Sequence, residues 1–267
     1  MRIARFTHDN EIHFGTVHGE PGAETLRYLT GDPLYVGIQE LERTVAVSEA
    51  RLLAPVIPRS KIVCVGRNYA AHAKELGNEV PASPQFFLKL PPAPMLFFKP
   101  NTAVSGPGDP VTLPSWTEEV SYEAELAVVI GRMCKDVPVE RVPEVVFGYT
   151  AANDLTARDA QRTDGQWARA KGFDGACPIG PWIETELDTS ALSVRSTVNG
   201  QLKQDGNTRD MIFDVATLVS YASEAFTLLP GDVILTGTPA GVGIVDEGDQ
   251  LSVQVEGIGE LTTVLRR

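Results

Sequence analysis

The stretch Val120-Ser121-Tyr122-Glu123-Ala124-Glu125-Leu126-Ala127-Val128-Val129-Ile130-Gly131 decides how the chain is to be read. Side chains alternate along a strand, so Glu123 and Glu125 share one face with Ala127 and Val129. The opposite face carries Val120, Tyr122, Ala124, Leu126 and Val128. Neither face is polar, which predicts a strand covered on both sides. Two carboxylates side by side under apolar cover repel one another unless a cation lies between them. A divalent ion answers that need, and oxygen-only ligands favour Mg²⁺ or Mn²⁺ over zinc. The competing reading is a strand end whose glutamates reach water.

Outward from this strand the text is mostly β. Residues 61–66 (KIVCVG) form an apolar, β-branched run suited to a buried strand, and 147–154 (FGYTAAND) read the same way. Residues 69–77 (YAAHAKELG) predict a helix with a glycine stop, 140–146 (ERVPEVV) a second, and 156–162 (TARDAQR) a third. The proline-rich stretch 81–100 suits short strands and loops. Beyond residue 230, DVILTGT, DQLSVQVEGI and ELTTVLR alternate with Pro-Gly-Asp and Glu-Gly-Asp turns. Residues 1–57 predict a small β-rich N-terminal module, with strands at MRIARF and EIHFGTV and a helix over VSEARLL, and residues 58–267 the main domain. The rhythm is not that of a regular βαβ sheet. The fold class expected is α+β, mostly β.

Composition narrows the function. Twenty-three Lys and Arg face thirty-five Asp and Glu across 267 residues, a net charge of −12. That balance argues against nucleic acid or an anionic membrane as partner, since each needs a basic surface. No apolar run approaches the roughly 20 residues of a membrane span. The opening residues are polar without an apolar core, so no secretory signal is expected. Cys64, Cys134 and Cys177 are odd in number and widely spaced, which suits reduced thiols in a cytoplasm.

Four further segments could carry chemistry. Asp154 follows an apolar strand, where a carboxylate would emerge at the strand end; continued as helix, it shares a face with Arg158 and Gln161. Its other reading is a helix N-cap with Arg158 as a surface ion-pair partner. His72 and Glu75 lie three apart on the expected helix, so the carboxylate can orient the imidazole as a general base, or simply form a structural pair. Arg67 and Tyr69 flank them, and an arginine fork suits a substrate carboxylate. Lys171, in WARAKGFDGACPIGPW, can meet a carboxylate or a developing enolate, or else lie along the surface. In ILTGTPAGVG the glycines allow close backbone approach and Thr238 offers a hydroxyl, although the segment is also an ordinary turn. No phosphate-loop or dinucleotide fingerprint is present.

These segments, in this order, closely resemble the fumarylacetoacetate hydrolase family. The resemblance runs over about residues 60–262, through GRNYAAHAKE, FFKP, VSYEAELAVVIG, NDLTARDAQ, KGFDGACPIGPW and TGTPAGVG, and the N-terminal module is similar to one found in bacterial members. It implies a mixed β-roll or sandwich-like catalytic domain and a homodimer. It also implies Glu123, Glu125 and Asp154 as ligands of Mg²⁺ or Mn²⁺, with His72 and Glu75 as a base dyad on a lid. Lys171 would face the reacting carbonyl, with Arg67, Tyr69, Arg158, Gln161 and Thr238 around the anionic groups. The ligand and dyad positions show no departure from the family pattern. The substrate implied is a small 2-oxo acid. The leading expectation is hydrolysis of a C–C bond in an acylpyruvate or fumarylpyruvate, from aromatic catabolism. The alternatives are isomerisation of a 2-hydroxyhepta-2,4-diene-1,7-dioate type of substrate, decarboxylation of oxaloacetate, and non-catalytic binding of a 2-oxo acid.

Overall fold

Leu126, Val128 and Ile130 point to one side of the strand Ala124–Ile130, and Ala127 and Val129 to the other, all fully buried. The two sides face two different cores, so the strand is covered on both faces as its sequence predicts. Each Leu, Val or Ile buried this way contributes about 1.5–3 kcal/mol. In this computed structural model, which describes residues 1–75 and 93–267, the strand lies inside a sheet of twelve strands among the described residues. Its neighbours are the antiparallel strands Val146–Asn153 and Val233–Leu235. Beyond the latter the sheet continues through Ile62–Gly66 and Met95–Lys99.

A second sheet of five strands packs over one face. It runs Gln201–Asn207, Ser193–Val198, Gln250–Val255, Gly259–Arg266 and Pro110–Thr112. Val194, Val253 and Leu261 from this sheet meet Leu126 and Val128 in one core, joined by Leu218, Val219 and Ala222 of the helix Val215–Ala225. That helix starts at Asp214, whose side chain accepts from the Thr217 N–H. Chemical alternation and burial thus agree on a mostly β fold of packed sheets.

The N-terminal residues do more than cover the main domain. Strand Arg2–His8 pairs with Cys177–Glu184, and Glu11–His18, Thr25–Leu29 and Glu40–Ala46 follow it outward, so the module extends the large sheet edge to edge. Phe6, Leu26 and Tyr28 enter the shared core.

Several local expectations are corrected. The 120–130 run is not one strand: Val120–Ser121 joins a small three-stranded sheet, and Ala124–Ile130 the large one. The break falls at Tyr122–Glu123, where the Glu123 N–H donates to the Asn153 side chain instead of a strand partner. Residues 47–53 form a 3-10 turn, Val47–Glu49, and a strand, Arg51–Leu53, because the latter pairs with Arg2–His8. Val139–Glu144 is 3-10 rather than α, with Pro143 inside it. The helix expected over 69–77 is described as Ala70–Glu75; residues 76 and 77, and 81–92 of the proline-rich stretch, lie outside the described residues. The cysteines are free, with Cys64 and Cys177 buried. Among the described residues no helix is long and apolar enough to cross a membrane.

Candidate active site

Strand ends and turns bring the acidic residues together. Glu125 is the second residue of its strand, Glu123 sits in the break before it, and Asp154 follows the end of Val146–Asn153. The Asp154 N–H donates to the Glu123 carbonyl, at 2.9 Å, which fixes these two residues relative to one another. One carboxylate oxygen from each of Glu123, Glu125 and Asp154 lies within 4.8 Å of the others, and all three residues are buried.

Three cations answer these charges. Lys171 Nζ lies 2.7 Å from Glu123 Oε2 and 2.7 Å from Asp154 Oδ2. Arg158 reaches Glu123 Oε1 and also donates to Ser121 and Gln161. Lys99 Nζ sits 2.7 Å from Asp154 Oδ1 and donates to the carbonyls of Leu155, Lys171 and Ala176. Burial opposes ionisation of Glu123, but Lys171 and Arg158 outweigh it and hold that carboxyl below its usual range. Burial likewise opposes the Lys171 charge, and Asp154 and Glu123 overcome it, so its ammonium is strengthened.

Glu125 is the exception. Its carboxylate accepts the Gly237 N–H, and no cationic side chain pairs with it among the described residues. Burial first, then the charges of Asp154 and Glu123, push it well above the usual carboxylate range. A third buried carboxylate left without a counter-charge, beside two others, fits a divalent cation with hard oxygen ligands.

The helix Ala70–Glu75 brings the expected dyad to the same cavity. His72 is 4% exposed, and its Nδ1 lies 3.3 Å from Glu75 Oε2. A carboxylate only accepts, so Nδ1 carries the proton and Nε2 is left as the base. Burial outweighs the nearby carboxylates and lowers the His72 pKa, which favours the neutral ring. Glu75 also accepts the Gly241 N–H, at 3.1 and 3.2 Å. Gly241 has φ +102°, and a Cβ there would lie 2.2 Å from the Lys203 carbonyl, so this receiving loop requires glycine.

The cavity, of about 670 Å³, is lined by Arg67, His72, Glu75, Glu123, Glu125, Arg158, Gln161, Lys171 and Thr238 among others. Asp154 and Tyr69 are not at its surface. Asp154 contributes through the carboxylate cluster, while Tyr69 is 2% exposed and its hydroxyl finds no hydrogen-bond partner among the described residues. Arg158 and Gln161 lie on the helix Arg158–Thr163, but Asp154 does not share it, because Thr156–Ala157 is strand. The Thr238 hydroxyl donates to the Ala124 carbonyl at 2.9 Å. Arg67 holds φ +60°, an uncommon conformation for a side-chain-bearing residue, between strand Ile62–Gly66 and the buried Asn68. Asn68 ties that turn to Phe213 and to the Thr236 carbonyl.

Sequence reasoning passed over Lys99, Asn68 and the aromatic wall. Phe97 and Trp167 line the cavity edge to face, with ring centroids 5.3 Å apart, and Lys171 Nζ lies 4.9 Å from the Phe97 ring. The signal for Lys99 was present in FFKP, a lysine in an otherwise apolar and proline-bound run, where burial demands oxygen partners.

Known proteins resemble this chain over most or all of its length. Residues 61–266 match the family described as fumarylacetoacetate (FAA) hydrolase, C-terminal, and residues 1–55 match Rv2993c-like, N-terminal. The chain is 45% identical over 277 residues to Protein Rv2993c of Mycobacterium tuberculosis, covering all of this chain and 98% of that one. It is 42% identical over 215 residues to the oxaloacetate tautomerase YcgM of Escherichia coli, covering 78% and 94%. Among solved structures, 2-hydroxyhepta-2,4-diene-1,7-dioate isomerase from Mycobacterium marinum superposes with a TM-score of 0.88 at 44% identity, covering 100% and 98%. Fumarylpyruvate hydrolase from Pseudomonas aeruginosa, in complex with Mn²⁺ and pyruvate, does so with a TM-score of 0.69 at 35% identity, covering 80% and 97%. With the family model spanning residues 61–266 and a relative 45% identical over the whole chain, the chain belongs to the fumarylacetoacetate hydrolase family, whose members are enzymes.

Proposed function

We propose that this chain is a divalent-metal-dependent enzyme of 2-oxo acids whose core step is proton transfer at the carbon beside the oxo group, as in tautomerisation of oxaloacetate or isomerisation of a related dienoate. The observation that carries this reading is a single cavity holding both a buried carboxylate, Glu125, with no paired cation among the described residues, and a shielded histidine, His72, oriented by Glu75. Glu123, Glu125 and Asp154 would hold Mg²⁺ or Mn²⁺, which when bound supplies Lewis-acid polarisation of the substrate's carboxylate and oxo oxygens.

The chain's own residues do the rest. His72 Nε2 takes the proton from the substrate carbon, and Glu75 stabilises the imidazolium that results. Lys171 offers its ammonium to the enolate oxygen, a preorganised charge worth a few kcal/mol. Arg67, Arg158 and Gln161 hold the anionic groups. Return of the proton from His72 to the other terminus completes the isomerisation, so no proton is lost to bulk water. The shielding of His72 supports this over a reaction that draws on solvent, and the names of the Escherichia coli and Mycobacterium marinum relatives point the same way.

A second reading, hydrolysis of the C–C bond of a 2,4-dioxo acid, is favoured by the aromatic wall of Phe97 and Trp167, which suits a longer acyl chain, and by the likeness to the fumarylpyruvate hydrolase. Here His72 would deprotonate a water instead. Ultraviolet assays of oxaloacetate tautomerisation and acylpyruvate cleavage, each with Mg²⁺, Mn²⁺ or EDTA, decide between them. Cleavage without tautomerisation gives the second reading, and inactivity on both substrates with either ion refutes both.

A further inference from the structure

Resting on the metal reading above, we propose that Gln204 is a positioning residue that sets the backbone between the two glutamate ligands. It acts through a closed ring of hydrogen bonds with Ala124 and Thr238.

The need for such a device follows from the sheet. Strand Val233–Leu235 pairs with Ala127, Val128 and Val129 and then stops. Ala124 and Glu125 therefore run past the end of their neighbour, at the point where both glutamates must be aimed. The residues after that neighbour continue the pairing by other means: Thr236 donates to the Leu126 carbonyl and the Gly237 N–H to the Glu125 carboxylate. Thr238 donates its hydroxyl to the Ala124 carbonyl. The remaining Ala124 group, its N–H, goes to Gln204 Oε1 at 2.9 Å.

Gln204 comes from the five-stranded sheet, is fully buried and lies outside the cavity lining. All four of its hydrogen-bond sites are used. Oε1 accepts from Ala124 and from the Ser196 hydroxyl, and Nε2 donates to Thr238 Oγ1 at 2.7 Å and to the Pro239 carbonyl at 2.8 Å. Because the Ala124 N–H can only donate and the Pro239 carbonyl can only accept, the amide orientation is fixed. Thr238 Oγ1 thus accepts a hydrogen bond from Gln204 and donates its own hydroxyl hydrogen to the Ala124 carbonyl. The ring has one direction, and it locks Ala124 on both backbone groups. A satisfied buried network of this kind rigidifies the segment it holds.

Titration of the full-length protein with Mn²⁺, followed calorimetrically, tests the ring. Groups that orient ligands from outside the coordination sphere typically change metal affinity by about 10–100-fold, and Gln204→Met is expected to lose that much. Thr238→Val should lose a similar factor, Thr238→Ser should retain affinity, and Ser196→Ala, which touches Gln204 outside the ring, should match the wild type. A merely structural role would lower the melting temperature of Gln204→Met without moving Mn²⁺ affinity, and that outcome overturns the proposal. If Gln204→Met does not fold, the Thr238 pair decides: equal affinities for Val and Ser overturn it. Wild-type protein that binds no Mn²⁺ would instead sink the metal reading, and this inference with it.

Discussion

The wall that carries Glu123, Glu125 and Asp154 and the helix that carries His72 and Glu75 are built by opposite means. The wall belongs to the large sheet, is buried, and is tied by three cations and a ring of side-chain hydrogen bonds. The helix Ala70–Glu75 is six residues long, and Glu75 reaches the rest of the site through the backbone of the Gly241 loop. A short helix has little stability of its own, so its place depends on such contacts. The difference suits the two tasks. Three carboxyl groups can be kept within 4.8 Å of one another only by a rigid frame that sets cations against two of them, whereas a base needs one oriented nitrogen and access for substrate.

If the comparison holds, damage to the wall should abolish ion binding and damage to the helix should spare it. Glu125→Gln is expected to give the largest effect. It removes the carboxylate that lacks a counter-cation, keeps an acceptor for the Gly237 N–H, and should lower kcat/KM on the order of 10³-fold with loss of Mn²⁺ binding. Retained Mn²⁺ affinity in a titration of that variant would break the assignment of the wall.

His72→Ala should reduce turnover by about 10²–10⁴-fold while leaving Mn²⁺ affinity within error of the wild type. A variant that turned over normally would remove His72 as the base. Glu75→Gln should cost less, about 10-fold, and sharpens the comparison through pH. Only neutral His72 can take a proton, so the rate rises as pH climbs through its pKa. Burial places that limb below 6.5, the ordinary histidine value, in the wild type. The Glu75 charge and hydrogen bond raise the pKa, so Glu75→Gln should move the limb lower still. A limb that moved upward in the pH profile would contradict the dyad.

A further effect is thermodynamic. An ion bound only by the folded state, at about 100 times its Kd, adds about 2.7 kcal/mol of stability. Thermal melts with Mn²⁺ and with EDTA should therefore separate, and the separation should vanish in Glu125→Gln but persist in His72→Ala.

Much of this was legible in the residues. Apolar positions on both faces of residues 124–130 required cover on both sides, and the structure supplies it. Glu123-Ala124-Glu125 and the His72–Glu75 spacing were visible because the contacts they imply are one to three residues long. Illegible were the break at Tyr122–Glu123, which depends on the Asn153 side chain, and the strand character of Thr156–Ala157, which depends on Val120–Ser121. The helix Val215–Ala225 and strands Ser193–Val198 and Gln201–Asn207 carried no motif that singled them out, and their roles come from packing.

The residues alone placed two carboxylates two positions apart beside an apolar strand and a glutamate within reach of a histidine, since both follow from the fixed periods of strand and helix. Tertiary structure alone decided which charge is neutralised by which. Lys99 is 55 residues from Asp154 in the chain and Gly237 is 112 from Glu125, and neither pairing has a local signature. Coulomb attraction and hydrogen bonding act on distance in space, and in this molecule the packing of the sheets, with the turns at their strand ends, sets that distance.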